Sequence, residues 1–502
     1  MNEAQKCNDS KTRSTWLWGT ASLSITFLIV FFTATQTSVA FWAAAVVIFG
    51  VAAVLMLKWP DLTTIIAIGL IYSNVSVVAV RFHGLPSILP AATLGILAWP
   101  FIYRLVIQKE NLLIPPAAPY LLCFIFIQFT SAILSKDPRY SFGSFMSFLL
   151  EGAVVYALVS NIVRTRRLVI ACFWMLALCA VLMGGIPMLK QLSGNADSIY
   201  GGFAQAGSDF NTGTEGQQRV ISQQRATGSI GEQNRYGQFM ILLAPITLSL
   251  LSISSKTRLK CCALVASLFS LVGFALAFSR GAAVGLVLGI GVATLLNLLS
   301  RKQLKWFAIG GIVVLLLLPQ YLDRLSSITN LTTLSSPQGA SSQTDGAIRG
   351  RLTEMAGAAL AFRDHPILGV GPGMFVKYSQ QYSQVIGLRS LGSEREAHSL
   401  PLDIMAETGI LGSICFTAML LAVFTALTSK RRIALKQKDT VGAALAGGIT
   451  VALILYLTTG LFLHLSYIRY FWLLIGLADA ISMLTADGDR GDDFLPRLQQ
   501  DS

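Results

Sequence analysis

Stretches of about twenty mostly apolar residues, the length that carries an α-helix across a bilayer, recur along nearly the whole chain. They fall near 16–34, 38–57, 62–80, 87–106, 117–134, 143–163 and 167–188, and then near 235–254, 259–278, 281–299 and 305–320. Three more follow at 401–427, 441–462 and 467–484. In lipid the backbone must satisfy its own hydrogen bonds, and long continuous apolar runs do so as helices. The expected fold is therefore an all-α integral membrane protein of about 12–14 transmembrane helices, the shorter Gly- and Pro-containing segments being re-entrant if they do not span. Charged residues make up only 13% of the chain, against about 25% in soluble domains.

A net charge of +13 would suggest nucleic acid as the partner of a soluble chain. Here Lys and Arg instead gather in alternate segments between the apolar runs, and no RNP or zinc pattern accompanies them. One set of segments holds Lys6, Lys11 and Arg13, then Arg164, Arg166 and Arg167, then Lys256, Arg258 and Lys260. The set continues with Arg301, Lys302 and Lys305, and with the cluster Lys430, Arg431 and Arg432. The intervening short segments hold only Arg81, Lys136, Arg139, Arg280 and Arg469. Basic residues favour the cytoplasmic side, so both termini are expected in the cytoplasm and the membrane is the cytoplasmic (inner) one. The expected organisation is a cytoplasmic N-terminus at 1–15 and N-terminal transmembrane helices at 16–188. An extracytoplasmic loop with central helices occupies 189–320, a large extracytoplasmic loop 321–400, C-terminal helices 401–484 and a cytoplasmic tail 485–502. The seven cysteines lie outside both large loops, with no disulfide framework or CxxC metal pattern.

In this topology every histidine and most of the unusual polar groups face outwards. The 321–400 loop holds Arg349, Arg351, Glu354, His365, the Gly369/Gly371/Gly373 run, Glu394, Arg395, Glu396 and His398. Those glycines are not spaced as a phosphate loop and read as a tight turn, which His365 precedes as a helix C-cap. The earlier loop contains Arg219 and then Arg225, with Gly228 and Gly231 close behind. A planar guanidinium donating paired hydrogen bonds suits a phosphate, although an arginine here also suits lipid head groups. Arg280 lies in Phe278-Ser-Arg-Gly between two apolar runs, where a charge must either snorkel to head groups or meet an anionic ligand. His398 is a candidate proton acceptor, with Glu394 and Glu396 near enough to orient it or to act themselves, unless it is a structural loop histidine. Glu151 and Glu407 lie at apolar depth, which sustains an alternative reading as a transporter or flippase of lipid-linked polysaccharide intermediates.

Arg225-Ala-Thr-Gly-Ser-Ile-Gly-Glu-Gln-Asn, Phe278-Ser-Arg-Gly, His365-Pro-Ile-Leu-Gly-Val-Gly-Pro-Gly-Met-Phe and Glu396-Ala-His-Ser with Glu407-Thr-Gly occur in this order. Together, over about residues 215–425, they resemble the O-antigen ligase and polymerase superfamily. The resemblance implies a GT-C-like multi-pass glycosyltransferase with a long extracytoplasmic loop. It would move glycan from a polyprenyl-diphosphate (undecaprenyl-diphosphate-type) carrier to a glycan or lipid acceptor, in O-antigen, lipopolysaccharide or exopolysaccharide synthesis. Neither a nucleotide sugar nor an obligatory metal is implied, and polysaccharide assembly proteins would be its partners. Arg225 and Arg280 would then face the diphosphate, His398 would activate the acceptor hydroxyl, and Arg219, Arg351, Glu394 and Glu396 would bind substrate. Two departures stand out: Ser399 follows the histidine where asparagine is common, and Glu232-Gln233-Asn234 replaces an Asn-Pro-Asn-like run.

Overall fold

The computed structural model describes residues 56–195, 197–207, 210–212, 221–299, 301–317, 343–387, 394–463 and 468–484. The expected span at 16–34, nearly all of that at 38–57, Arg219, His464 and the tail lie outside the described residues. The chain divides into two compact units, Met1–Thr63 and Thr64–Ser502. Each of the twelve expected spans from 62–80 onward coincides with a helix or a pair of helices. These are α1 (Pro60–Ser73) with α2 (Val75–His83), α3 (Leu89–Ile102), α4 (Ala118–Leu134), α5 (Pro138–Phe148) continuing into α6 (Val155–Ile162), and α7 (Arg166–Ser193). Next come α8 (Gln233–Ile253), α9 (Thr257–Leu276), α10 (Arg280–Leu295) and α11 (Arg301–Leu317). The 343–387 segment forms α12 (Gln343–Asp364) and α13 (Phe375–Ile386), and α14 (Leu400–Lys436), α15 (Thr440–Gly460) and α16 (Ile468–Met483) complete the set. Among the described residues seven helices are long and apolar enough to cross a membrane, or eight if α1 and α2 form one broken span. The protein is thus an all-α integral membrane protein, and its only described strands are two short ladders between α7 and α8.

α8 is the axis of the bundle: it is buried from Asn234 to Leu250 and packs on α7, α9 and α15. Stacking of Phe239 on Tyr470, with ring centroids 4.0 Å apart, ties it to α16 as well. The break between α1 and α2, a bend of 57°, sits at Asn74 in a left-handed conformation. Asn74 holds that turn to the rest of the molecule by donating to the Ser229 carbonyl at 2.7 Å and accepting from Arg469 at 3.1 Å.

Membrane helices gain little from burying apolar surface against one another, so close approach through small residues drives their packing. Gly285 and Gly289 of α10 lie against Thr459 and Leu455 of α15, and a Cβ on Gly285 would stand 2.6 Å from the Thr459 Cα. Gly285→Leu is therefore expected to push α10 off α15 and to lower the melting temperature in detergent. Overpacking of this kind costs about 1–3 kcal/mol. Gly291→Ala, at a position with nothing within 4 Å, is the control and should not lower the melting temperature.

The long polar segment is fastened by its glycines. Val370 and Gly371 donate their N–H groups to the Ala406 and Glu407 carbonyls, and Ile410 donates to Pro366. α14 opens at Gly409, whose φ of 64° and ψ of −161° free those backbone groups. Gly369 and Gly409, both at positive φ, leave no room for a side chain where the two segments meet. The tight turn expected of the glycine run is what it forms, and its purpose is to dock α12 and α13 against the start of α14.

Candidate functional site

The site is assembled where the segment before α8, the turn between α9 and α10, helix α12 and the strand of chain entering α14 converge. Glu232 caps α8, accepting the N–H groups of Asn234 and Arg235 at 2.9 and 2.7 Å. That accounts for the acidic residue in place of the Asn-Pro-Asn-like run, because a carboxylate at a helix N-terminus satisfies orphan donors and the dipole together. Asn234, held by the same carboxylate, accepts from Arg225 Nη2 at 3.0 Å and from Ser279 Oγ at 2.9 Å. Arg225 Nε donates to the Ala277 carbonyl at 3.0 Å. Arg225 is 7% exposed, so much of its hydrogen-bonding fork is engaged in clamping the loop to the α9–α10 turn.

That turn presents Arg280. Phe278 takes a φ of 47°, uncommon for a large side chain, and is fully buried. Ser279 then caps α10, and Arg280 is its first residue. A cation there works against the helix dipole, since the N-terminal end of a helix favours anions. Arg280 is not placed to stabilise its own helix. Arg351 of α12 reaches the same spot: its guanidinium lies 3.8 Å from where a Cβ on Gly281 would stand, and its charge acts on Arg280. Burial lowers the tendency of Arg351 to hold its proton, while Glu354 and Glu232 work in the opposite direction.

His398 enters from the α14 side with a φ of 50° and a side chain 23% exposed. Its Nδ1 lies 3.2 Å from the Glu396 carbonyl and 3.2 Å from Glu354 Oε2. Burial, reinforced by the charges of Arg351 and Arg235, pushes its pKa down to about 4, outweighing the Glu396 carbonyl and Glu232. At neutral pH the imidazole is thus uncharged and able to accept a proton.

The structure brings Arg225, Arg280, Arg351, Glu396 and His398 into this region. Glu394 is exposed and faces Lys377 of α13 instead. His365 is also exposed and lies beside the Tyr378 ring, away from the cluster. Two residues join that sequence reasoning had not assigned to the site. Glu354 sits one turn from Arg351, and the i, i+3 spacing on one helix face was the available signal. Arg235, 2% exposed, is surrounded by Glu232, Glu396, Asp403 and Tyr456, a grouping drawn from distant segments that no local pattern reveals. Among the described residues no group of three or more His, Cys, Asp or Glu is arranged to hold a metal ion.

The two carboxylates expected at apolar depth sit in different surroundings. Glu151 is on the exposed surface of its helical segment. Glu407 accepts hydrogen bonds from the backbone of Gly373 and Phe375, where α13 begins. Those hydrogen bonds join the start of α13 to α14.

Residues 265–417 match the family model described as O-antigen ligase. That interval contains Arg280, Arg351, Glu354, Glu396 and His398, and it bears out the resemblance to the O-antigen ligase and polymerase superfamily. Glycosyltransferase-like chemistry in surface polysaccharide synthesis is the activity that goes with this match. No curated protein matches the chain.

Proposed function

We propose that this protein is a membrane glycosyltransferase that moves glycan from a polyprenyl-diphosphate carrier to an acceptor hydroxyl on the extracytoplasmic face of the cytoplasmic membrane. The observation that carries the reading is the juxtaposition of Arg280 and Arg351 at the N-terminus of α10. Two neighbouring guanidinium groups repel, and a helix N-terminus adds further positive potential, so a multiply charged anion would be held strongly there. A lipid-borne diphosphate has that charge and enters from the side where such groups lie.

The acceptor oxygen attacks the anomeric carbon, and the bond from that carbon to the diphosphate oxygen breaks. The electron pair leaves with the lipid diphosphate, whose growing charge Arg280 and Arg351 offset, while the hydroxyl proton passes to His398. Arg225 contributes by fixing the turn that carries Arg280. A single displacement of this kind inverts the anomeric configuration. Preorganised donors aimed at developing charge supply the larger share of the rate, because diphosphate is already a good leaving group.

Purified full-length protein, given a lipid-linked oligosaccharide and an acceptor glycan, is expected to yield transferred glycan with one lipid diphosphate released per transfer. Movement of the lipid-linked substrate across a vesicle membrane with no transferred product would overturn the reading in favour of transport.

A further inference from the structure

The Nδ1 atom of His398 faces two oxygen atoms, the backbone carbonyl of Glu396 and the Glu354 carboxylate, each at 3.2 Å. A carbonyl oxygen can only accept a hydrogen bond, and so can an ionised carboxylate. The nitrogen that meets the Glu396 carbonyl must therefore carry the proton, with the Glu354 carboxylate at ion-pair distance beside it. In a neutral imidazole that leaves the lone pair on Nε2. We infer that Glu354 is a positioning residue which, with the Glu396 carbonyl, fixes His398 as the Nδ1–H tautomer and turns Nε2 toward the reacting hydroxyl.

Three features of the surroundings favour this assignment. Glu354 is 5% exposed, so its carboxylate is in a medium where an interaction with the imidazole is little screened. It belongs to the same helix as Arg351 and influences that guanidinium, so one carboxylate links the cation expected at the leaving diphosphate to the base expected at the acceptor. The His398 backbone is held at a positive φ, a conformation that persists only when surrounding contacts enforce it. The arrangement also accounts for Ser399 where asparagine is common, since the imidazole is oriented by α12 and not by the residue that follows it.

When Nε2 takes the acceptor's proton the ring becomes an imidazolium, and the Glu354 carboxylate then faces a full positive charge. The other groups acting on the ring are Arg351 of α12 and Arg235 and Glu232 at the start of α8. Glu354 is the carboxylate within ion-pair distance of the ring nitrogen. Its effect should fall on turnover and not on substrate affinity.

The inference rests on the glycan-transfer reading, but one of its tests does not. In nitrogen NMR of full-length protein labelled with ¹⁵N-histidine, His398, assigned by loss of its signals in His398→Gln, is expected to show a protonated Nδ1 and an unprotonated Nε2 at pH 7. A protonated Nε2 in the unaltered protein overturns the proposal whether or not the protein transfers glycan. In the transfer assay Glu354→Gln should lower kcat by about 30-fold or more while the donor KM stays within about threefold, and Glu354→Asp should recover part of the loss. Normal kcat in Glu354→Gln from a transferring wild type would sink the inference and leave the proposed function intact. If Glu354→Gln does not fold, the tautomer of the unaltered protein and the kcat of Glu354→Asp still decide the matter.

Discussion

Arg280→Ala is expected to reduce glycan transfer by about 10²–10³-fold while the protein still inserts and purifies normally, the loss seen when one preorganised donor to a developing charge is removed. The side chain starts α10 at a place where its charge opposes the helix dipole, so its removal should cost the helix nothing. The close packing of α10 on α15 through Gly285 and Gly289 does not involve the guanidinium. Arg280→Lys should recover only part of the activity, because an ammonium is a point charge and lacks the fork that matches paired phosphate oxygens. Steady-state transfer with a lipid-linked oligosaccharide, read beside melting temperature, checks both statements. Wild-type turnover in Arg280→Ala would remove this arginine from the mechanism and with it the diphosphate site.

His398→Ala is expected to cost about 10²-fold, the lower end of general-base contributions, because a diphosphate leaving group asks little of the base. The pH dependence is more diagnostic than the magnitude. An unperturbed imidazole, with a pKa of about 6.5, would lose its basic form as the pH falls below 7. With the pKa pushed down to about 4, His398 stays neutral, and kcat/KM should remain nearly level from pH 7 to about 5.5 before it declines. Arg351 is the foremost charge that lowers this pKa, so in Arg351→Gln the acid limb should move upward, toward neutral pH. The sign for stability follows from the same shift: the folded site takes up fewer protons than the unfolded chain, so its contribution is present above about pH 6.5 and is lost as the pH falls toward 4. An acid limb near pH 6.5 in the unaltered protein would show that His398 keeps an ordinary pKa, and one that persists unchanged in His398→Ala would exclude His398 as the group that accepts the proton.

Much of the architecture is legible in the sequence because length and continuous apolarity are local properties. Each described stretch from 62–80 to 467–484 became helical at nearly the expected bounds. Finer geometry was less visible. The left-handed Asn74 and Gly409 break their helices at short polar runs, Ser73-Asn74 and Glu407-Thr408-Gly409, whose bend is not written in composition alone. Among the polar groups, Arg280 stood out because a charge between two apolar runs is rare, and His398 because it lies beside acidic neighbours just ahead of a span. Arg225 stands out for the glycines close behind it and for a guanidinium's fit to phosphate, yet its hydrogen bonds to Ala277 and Asn234 tie it into the frame of the site. Nothing local distinguishes a guanidinium that holds a loop from one that meets a ligand.

Long continuous apolar runs, the alternation of basic segments and a few ordered motifs were enough to specify a helical membrane protein and to indicate the superfamily it resembles, since each is written in neighbouring residues. Which ionisable groups share one pocket was decided only by folding. Glu354 meets His398, and Arg351 meets Arg280, across separations bridged by helix packing and by the glycine-lined junction between α12, α13 and α14. Charges act through space over a few ångströms, and proximity between segments distant along a chain exists only once the bundle has closed.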